Sequence, residues 1–502
     1  MKFIESFLDR HTMYLVVLVM LGALTLVSFI FSIVGWLPFT VLELLYLLTT
    51  SSLVATGTHY ILKLLTKAPA NYDSTLITIF ILFFLYLPTT RVDELVGIAL
   101  VAVVAVAGKY ILAYRKLHLA NPAALAAVLV GLTDLSFASW WVATPTLLPF
   151  VVIGGLLVAI KLRRLTMVMV GLAAALVTFV GMSLWQGSVN IEDLQFFFLY
   201  TPIIFFLTIM ATEPLTTPGT QRLRLVYAVF LGVLFNVPFV LGPFYNTPEL
   251  TLVLANLVFY PFGLRRRLAL TLIEKKQVAK QTMEFSFKAD ENFRFLPGQY
   301  LEWTLPHKDK DARGIRRYFT IASAPSEESI KLTARISEPG SSFKKELQEL
   351  ETGTVIHATA RAGDFVLPNN STEQKYIFIA GGIGVTPFRS MVKEQLLHEK
   401  QLDAVMFYLN KTEEDIAYRD LFDSAQSVGL KTVYVIDKPT ANWNGEVGYI
   451  TEEMLTRLAP DYKDRLVYVS GPPGLVRAYT VLFHQLGIPP SRVKTDYFPG
   501  LA

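Results

Sequence analysis

Three short segments place hydroxyl, amide and carboxyl groups beside long apolar stretches, and such groups could hold a polar ligand inside a membrane. MATEPLTTP at 210–218 follows the apolar run FFFLYTPIIFFLTI, while NYDST at 71–75 and ANPA at 120–123 begin two further apolar runs. Polar side chains at broken or Pro-terminated helix ends can satisfy a ligand that lipid would reject. The alternative is that these residues only cap helices at the interface. The candidate pocket residues are Asp73, Ser74, Thr78, Asn121, Glu213, Thr216 and Thr217.

A second set of chemically suggestive residues lies in repeated strand–loop–helix patterns near the end of the chain. GGIGVTP at 381–387 and SGPPG at 470–474 each follow an apolar strand-like run and precede a helix-like run. Such repetition predicts a parallel sheet with crossover helices. Short alternating patterns between 280 and 337 come before it and predict a small antiparallel barrel. We expect the reaction site to lie between the barrel and the α/β domain.

Ten apolar runs before residue 265 would form the rest of the molecule. A bilayer core about 30 Å thick needs roughly 20 apolar residues per helix, and we interpret each run as a membrane helix, with the first retained because it exceeds a signal-peptide core. The runs lie near 13–35, 38–62, 74–88, 94–113, 122–133, 144–161, 166–185, 195–211, 225–242 and 249–263.

The loops between these runs segregate by charge. One alternating set carries Lys and Arg, as at Lys63, Lys161, Arg163, Arg222 and Arg224, whereas the other set is nearly free of them. Cytoplasmic loops carry the excess of basic residues. The pattern therefore predicts a multi-pass protein of the cell membrane, surrounded by lipid, with both termini in the cytoplasm.

Composition excludes several classes of site. The chain has no cysteine, which rules out disulfides and thiolate-held metal or iron–sulfur centres. We expect no metal site, and only three histidines precede residue 265, too few for two stacked bis-histidine haems. A net charge of +4 with basic residues at membrane edges argues against nucleic acid as a partner.

The second half of the chain resembles the ferredoxin–NADP reductase family. The motifs that carry the resemblance are RYFTIAS at 317–323, GSSFKKEL at 340–347, GGIGVTP, SGPPG and DYFPG at 496–500. The resemblance implies FAD in the barrel and NADH or NADPH in the α/β domain. The expected organisation is a polytopic α-helical membrane domain at 1–265, an antiparallel β-barrel FAD domain at 266–370 and an α/β nucleotide-binding domain at 371–502.

The resemblance also implies roles for individual residues. Arg317 offers a fork of donors to the flavin pyrophosphate, Phe319 stacks on the isoalloxazine, and the Thr320 hydroxyl lies near flavin N5. Either Ser341 or Ser342 binds phosphate. Further cofactor contacts are expected from Tyr318, Ile321, Ser323, Gly340, Gly381, Gly382, Gly384, Thr386, Pro387, Gly471 and Pro472.

Two residues of the hydride site are expected near the nicotinamide. Phe498 matches the terminal aromatic that covers the flavin in the family, and Ser470 stands where the family usually has Cys. The choice of nucleotide stays open, since Lys411 could meet a 2′-phosphate while the acids at 413–415 favour NADH.

The membrane half resembles the flavin-binding D subunit of the Rnf complex and the B subunit of the sodium-pumping NADH:quinone reductase. NYDSTLITIFILFFLYLP at 71–88, KLHLANPAALAAVLVGL at 116–132 and MATEPLTTP carry this resemblance. It implies FMN or riboflavin in the polar pocket, held non-covalently, because the Ser-Gly-Ala-Thr sequence that carries a covalent flavin is absent from this chain.

Together these features predict a membrane flavoprotein oxidoreductase. Electrons would pass from cytosolic NAD(P)H through FAD to the membrane flavin and on to an extracytosolic acceptor, such as a flavinylated protein. One alternative is an NAD(P)H:quinone oxidoreductase that ends at the membrane quinone pool. The other is a transporter with a regulatory reductase domain.

Overall fold

A computed structural model describes residues 8, 11–66, 72–111, 113–114, 117–187, 189–262, 268–311, 314–336, 340–368 and 370–497 of the chain. The chain divides into two compact units, Met1–Arg265 and Arg266–Ala502. The first is helical and the second contains two six-stranded sheets.

The helices of the first unit follow the predicted apolar runs closely. Two-residue antiparallel pairs, β1–β2 (Ala113–Tyr114, Leu117–His118) and β3–β4 (Val240–Leu241, Phe244–Tyr245), form two of the turns. The helices are α1 Met13–Val34, α2 Val41–Thr66, α3 Tyr72–Leu85, α4 Val92–Ile111, α5 Pro122–Gly131, α6 Leu148–Lys161, α7 Leu165–Trp185, α8 Ile191–Tyr200, α9 Ile203–Met210, α10 Gln221–Asn236 and α11 Pro248–Phe259.

The prediction of ten full spans is not borne out. Within the described residues four helices, α1, α2, α4 and α7, are long and apolar enough to cross a bilayer. A fifth span results if α8 and α9, which meet at a 52° bend, are counted as one. The 10 residues of α5 reach only about 15 Å. The runs at 74–88 and 122–133 end within three residues of the ends of α3 and α5, so the error lies in counting such short runs as full spans.

The carboxyl end of α3 shows how a short helix can end inside an apolar unit. Its last carbonyl groups have no partners within the helix and must be satisfied elsewhere. Leu85 O accepts hydrogen bonds from the backbone N–H groups of Ser139 at 2.7 Å and Trp140 at 2.9 Å. Phe83 O accepts from the indole N–H of Trp141 at 2.6 Å. The segment between α5 and α6 therefore caps α3.

Close helix packing in this unit depends on glycine. A Cβ atom on Gly232 of α10 would lie 2.5 Å from Gly171 O and 2.7 Å from Ala175 N, both in α7. The backbones of α7 and α10 thus approach too closely for any side chain at this point. Small residues allow such approaches between membrane helices.

We expect Gly232→Leu to destabilise the first unit by about 3 kcal/mol or more, because backbone atoms of α7 would have to move apart. Thermal unfolding of the detergent-purified protein would measure the change. Gly181→Leu is the matched control, since a Cβ on Gly181 of α7 meets nothing within 4 Å. Equal stability of the two variants would contradict this packing.

The second unit begins with the predicted antiparallel barrel. Its strands are β5 Leu268–Ala279, β6 Thr282–Ala289, β7 Tyr300–Thr304, β8 Arg316–Thr320, β9 Ile330–Arg335 and β10 Val355–Ala362, in the order β8-β7-β10-β5-β6-β9. A backbone hydrogen bond from Ala322 N to Lys331 O, 2.8 Å, joins the chain after β8 to β9. Helix α12, Ser342–Glu349, packs Phe343 and Leu347 into the barrel core.

The α/β part follows with a fully parallel sheet. Its order is β14-β13-β12-β11-β15-β16, and apolar cores cover both faces. This agrees with the predicted strand–loop–helix repetition. The strands are β11 Tyr376–Gly381, β12 Ala404–Asn410, β13 Leu430–Ile436, β14 Glu446–Val447, β15 Leu466–Gly471 and β16 Val493–Tyr497, and the helices are α13 Thr386–Leu397, α14 Arg419–Ser424, α15 Glu452–Leu458 and α16 Pro473–Gln485.

Candidate flavin and nucleotide sites

The motif RYFTIAS begins in strand β8, where successive side chains point to opposite faces of the sheet. Arg317 and Phe319 share one face, where the Arg317 guanidinium lies 5.5 Å from the Phe343 ring centroid and the Phe319 and Phe343 rings are 5.7 Å apart. Tyr318 points to the other face, half exposed beside Tyr300. Arg317 and Phe319 are thus both placed next to the start of α12.

The start of α12 distinguishes the two candidate phosphate residues. Ser341 caps the helix, and its hydroxyl accepts from Lys344 N at 3.3 Å. The Ser342 hydroxyl instead lies 2.8 Å from His307 Nε2 and accepts from Asp311 N at 2.9 Å. Gly340 precedes the cap. Arg317 donates to the Asp311 carboxylate at 2.7 Å and to Gly314 O at 2.8 Å, so its guanidinium lies near the start of α12 and already has an acidic partner there.

Three buried hydroxyl groups in this unit have no hydrogen-bond partner among the described residues. One is Tyr376 Oη, in the apolar core on one face of the parallel sheet. The other two are Thr320 Oγ1, in a residue that is 4% exposed, and Ser470 Oγ, in a residue that is 0% exposed. Leaving a buried polar group unpaired costs about 1–3 kcal/mol. Thr320 and Ser470 belong to the predicted hydride site, and unpaired hydroxyls there fit a bound flavin and nicotinamide that would supply the partners.

The next residues after Thr320 serve the fold. Ile321 is buried and its N–H donates to Gln299 O at 2.9 Å. Ser323 accepts from Lys331 N at 3.1 Å. The structure therefore gives Ile321 and Ser323 roles inside the barrel, and a direct cofactor contact for either stays a prediction.

The glycines of the two nucleotide loops differ in what they accommodate. A Cβ on Gly384 would lie 2.5 Å from Gly471 Cα, and one on Gly381 would lie 2.5 Å from the Leu475 side chain. These glycines let the two loops pack on each other. Gly382 has φ +52° and open space where a Cβ would be. Among the three, Gly382 offers the open approach expected for a dinucleotide.

Two helices begin at these loops. Thr386 and Pro387 form the first turn of α13, with Thr386 Oγ1 donating to Ile383 O at 3.3 Å. Pro472 precedes α16. A 3-10 turn at Gly382–Val385 leads from β11 directly into α13, and the Thr386 N–H donates to Ile383 O within it. The helical segment therefore begins at the carboxyl end of β11, where pyrophosphate binds in such folds.

A buried ion pair holds the barrel against the α/β part. The Arg389 guanidinium of α13 makes a bidentate contact with Glu327 and donates to Ala322 O at 3.0 Å. Ser390 donates to Ser323 O at 2.6 Å. Burial alone would raise the pKa of Glu327, but hydrogen bonding and the charge of Arg389 hold that pKa below its ordinary value. These contacts bring the segment after Thr320 to the first turns of α13.

Asn410 is a site residue that the sequence analysis missed. It ends β12 beside the glycine loop, it is buried, and neither polar atom of its side chain makes a hydrogen bond that meets ordinary geometry within the described residues. The acids that follow are engaged in the fold: Glu413 with Thr440, Glu414 with Lys280, and Asp415 with Thr412. Lys411 is exposed, and the choice between NADH and NADPH stays open.

A cavity of about 490 Å³ lies beyond these acids. Its walls include two aromatic rings and a guanidinium, from Tyr434, Trp443 and Arg419. Arg419 Cζ lies 5.1 Å from the Tyr434 centroid and 5.9 Å from that of Trp443. This edge of the sheet can accommodate a planar group.

In the first unit the predicted polar residues meet through a lysine that the prediction left out of the pocket. Lys109 Nζ of α4 donates to Ser74 O at 2.7 Å, Ser74 Oγ at 3.0 Å and Thr78 Oγ1 at 2.7 Å. The Glu213 carboxylate also acts on this ammonium group as an opposite charge. Lys109 thus binds the start of α3 through Ser74 and Thr78, while Glu213 of the segment at 210–218 acts on its charge.

The other predicted residues continue this network. Asn121 donates from Nδ2 to Glu213 Oε2 at 2.9 Å, and Thr216 donates to the same oxygen at 3.3 Å. Asn121 N donates to Asn256 Oδ1 of α11 at 2.9 Å. We call Ser74, Thr78, Lys109, Asn121, Glu213, Thr216 and Asn256 the inner cluster.

Two predicted pocket residues lie apart from the centre of this cluster. Thr217 accepts from the buried Arg164 guanidinium at 2.6 Å and donates to Glu213 O at 2.6 Å, so it secures the segment at 210–218. Asp73 is exposed at the start of α3. Phe498 lies outside the described residues. Among the described residues no group of His, Asp and Glu could hold a metal ion.

Family models match both parts of the second unit. Residues 269–366 match an oxidoreductase FAD-binding domain and residues 378–480 match an oxidoreductase NAD-binding domain. Two similar solved structures are the cytochrome P450 reductase GcoB of Amycolatopsis and the cytochrome b5 reductase domain of Ulva prolifera nitrate reductase. The first is 21% identical, with a TM-score of 0.42, and the match covers 47% of this chain and 71% of that chain. The second is 23% identical, with a TM-score of 0.41, and the match covers 46% of this chain and 97% of that chain.

Curated relatives are also reductases. The stachydrine N-demethylase reductase subunit Stc4 of Rhizobium meliloti is 27% identical over 46% of this chain, and NADH-cytochrome b5 reductase 1 of Pyricularia oryzae is 27% identical over 39%. The chain spans 66% of the length of each. The plasma membrane-associated coenzyme Q6 reductase PGA3 of Saccharomyces cerevisiae is 26% identical over 57% of this chain and 88% of its own length.

Thr320→Val should slow reduction of the bound FAD by NADH by roughly tenfold to a hundredfold, because a hydroxyl placed to hydrogen-bond the flavin would be lost. Stopped-flow absorbance would measure the rate. Thr304→Val, on the paired strand β7, is the control and should keep the wild-type rate. An unchanged rate in Thr320→Val would remove this hydroxyl from the hydride site.

Glu327→Gln should lower the free energy of unfolding of the second unit by about 3 kcal/mol at neutral pH, because it leaves Arg389 buried without its counter-ion. The wild type should lose this advantage as pH falls, since the pKa of Glu327 is lowered in the folded state and stability is lost once the carboxylate is protonated. The two proteins should therefore converge below the ordinary carboxyl pKa of 4.5.

The measurement is thermal release of FAD fluorescence as a function of pH. Lys280→Met removes an exposed pair with Glu414 and should change stability by less than about 1 kcal/mol. A constant difference between wild type and Glu327→Gln at every pH would argue against the assigned charge state.

Proposed function

Because residues 269–480 carry FAD- and NAD-binding oxidoreductase domains of the ferredoxin–NADP reductase family and form an NAD(P)H-dependent flavin oxidoreductase, we propose that the whole chain carries electrons across a membrane. The path leads from cytosolic NAD(P)H through FAD to FMN or riboflavin in the inner cluster. It continues to an extracytosolic acceptor, such as a flavinylated protein. The observation that carries the proposal is the inner cluster itself.

The cytosolic step uses residues of the second unit. FAD, when bound, accepts a hydride and returns electrons singly. Arg317 and the α12 N-terminus hold its pyrophosphate, with Ser341 as the cap and Ser342 beside it. Thr320 and Ser470 place hydroxyl groups at the hydride site, and α13 with Gly382 positions the nucleotide pyrophosphate. Asn410 binds the nucleotide at the end of β12.

The inner cluster suits a flavin ring held without a covalent bond. The ring edge presents carbonyl oxygens and an N–H group, and the cluster presents matching groups: the Lys109 ammonium, the Asn121 amide and the Glu213 carboxylate. Ionisable side chains inside membrane helices are costly and usually functional. Helices α3 and α5 begin beside this cluster, as discontinuous helices do at transporter binding sites.

The surrounding sequence supports a membrane location. Four described helices can cross a bilayer, and a relative is described as plasma membrane-associated. We propose a multi-pass arrangement with both termini in the cytoplasm. The basic loops alternate with loops nearly free of Lys and Arg when the short helices and the bent α8–α9 pair carry the chain from one side to the other as the four long helices do, which gives an even number of passes. The inner cluster then lies on the cytoplasmic side.

A quinone reductase is the second candidate. The alignment with the coenzyme Q6 reductase covers 57% of this chain, more than residues 266–502 provide, so it extends into the first unit. In this version electrons leave the inner cluster for a quinone in the bilayer, and no extracytosolic acceptor is needed.

Sealed proteoliposomes distinguish these functions. NADH added outside reaches only chains whose second unit faces outward, and ferricyanide is enclosed in the lumen. We expect luminal ferricyanide to be reduced without added quinone. Turnover that requires a quinone analogue would favour the second candidate, and no transfer beyond FAD with either acceptor would contradict both.

Lys109→Met should slow luminal reduction at least about tenfold while FAD reduction by NADH stays at the wild-type rate, because the cluster loses its cation. Lys63→Met is the matched control, since Lys63 is exposed in the last turn of α2. If Lys109→Met reduces luminal ferricyanide at the wild-type rate, the inner cluster is not part of the electron path.

A further inference from the structure

A second polar cluster lies deep in the first unit, and the proposed electron path does not use it. Glu249 begins α11 and is 7% exposed, and its Oε2 accepts from the Trp140 indole N–H at 2.8 Å. Tyr86, which follows α3, is 1% exposed, and its neighbour Leu85 accepts the backbone hydrogen bond from Trp140 N at 2.9 Å. We call Tyr86, Trp140 and Glu249 the outer cluster.

Tyr86 is unsatisfied in this arrangement. Its hydroxyl is buried and has no hydrogen-bond partner among the described residues. A hydroxyl of this kind can donate to a carbonyl oxygen or accept from an N–H group. The outer cluster therefore has one protic group that is open to a ligand.

Trp140 is held at a strained position. Its φ is +54°, a left-handed conformation that is an outlier for a bulky residue. The backbone hydrogen bond to Leu85 and the indole hydrogen bond to Glu249 fix it there. Such strain persists only where the surroundings over-determine it, and it is frequent at ligand sites.

The two clusters lie at opposite ends of the same helices. Ser74 and Thr78 belong to the start of α3, and Tyr86 follows its end, about 18 Å from Ser74 at 1.5 Å per residue. Helix α11 carries Asn256 in the inner cluster and Glu249 about 10 Å away along its axis. Both separations are well below the thickness of a bilayer core, about 30 Å.

Aromatic rings surround the outer cluster. Trp140 lies 6.4 Å from Phe205 and 6.2 Å from Phe206, and Phe84 lies 6.0 Å from Phe205. Leu87 and Phe137, near Tyr86 and Trp140 in the sequence, are exposed. The surroundings suit a planar ring that approaches from the lipid side.

We infer that the outer cluster is a second redox site, at which a conjugated carbonyl ring of the quinone or flavin class is reduced and receives a proton from Glu249. Tyr86 donates to a ring carbonyl, and Trp140 orients the carboxyl group. This inference rests on the proposed function, because the electrons arrive through the inner cluster.

The reaction balances with NADH as the reductant. NADH gives NAD⁺, one proton and two electrons on the cytosolic side. At the outer cluster the ring X takes up two electrons and two protons to give XH₂. One proton comes from the Glu249 carboxyl group and forms an O–H or N–H bond on the ring, the other comes from extracytosolic water, and water on that side reprotonates Glu249.

Few other titratable groups face Glu249. Trp140 and Thr247 hydrogen-bond to it, and Tyr86 is the titratable neighbour among the described residues. Helix α5, which packs on α11, has no titratable side chain. Those of α10 are Arg222, Arg224 and Tyr227, in its first half, and Tyr227 contacts Asn256 at the other end of α11.

The test compares wild type with Glu249→Gln in proteoliposomes fed with external NADH. Decylubiquinone in the bilayer and FMN in the lumen are supplied as alternative acceptors, and luminal pH is varied. Glu43→Gln is the control, a half-buried acid in the first turn of α2 that accepts hydrogen bonds from Thr40. FAD reduction by NADH is followed separately by stopped flow.

We expect Glu249→Gln to slow the reduction of one acceptor by about tenfold or more. The rate should also lose its dependence on luminal pH, as it does when a general acid is removed. FAD reduction and Glu43→Gln should be unaffected. If only the reduction of decylubiquinone is slowed, the ligand of the outer cluster is a quinone. If only the reduction of FMN is slowed, the ligand is a flavin. Tyr86→Phe keeps the ring packing and should slow the same acceptor.

Wild-type rates and pH dependence in both Glu249→Gln and Tyr86→Phe would overturn the inference and leave the proposed function intact. Reduction of luminal ferricyanide by wild-type protein that reduces neither acceptor would overturn this inference alone. If wild-type protein reduces FAD but reduces neither acceptor nor luminal ferricyanide, the proposed function fails, and this inference fails with it.

Discussion

The first unit depends on one constraint: a polar group placed among its apolar helices is costly unless it has a partner. Backbone carbonyls at the end of α3 are capped by Ser139, Trp140 and the Trp141 indole, so the helix can stop after 14 residues. The Lys109 ammonium is held by Ser74 and Thr78 at the start of the same helix. Short helices with satisfied ends bring polar chemistry to two levels of an otherwise apolar unit.

The second unit differs, because some of its polar groups must stay available to bind cofactors. Most of its buried polar groups are paired, and the Glu327–Arg389 contact fixes the barrel to α13. The hydroxyls of Thr320 and Ser470 are among the buried side-chain groups that have no partner within the described residues. A rigid frame with a few unsatisfied donors is what a reductase needs to orient a flavin and a nicotinamide.

Local motifs could be recognised from the sequence, but contacts between distant residues could not. The glycine loops, the barrel and the parallel sheet follow from short-range patterns, and the start of each apolar helix was close to correct. Lys109 and Ser74 are 35 residues apart and Trp140 and Glu249 are 109 apart, so no local pattern pairs them. Hydropathy also located most helix ends, but it led us to count short runs as full spans. Helices this short depend on capping by another segment, which no local pattern shows.

The central claim is that the membrane unit binds a redox group of its own. The most direct measurement is the flavin content of the full-length protein purified in mild detergent, with each flavin released by denaturation and identified by mass. Our account predicts one FAD and at least one further FMN or riboflavin per chain. A single FAD per chain with no other flavin would contradict it.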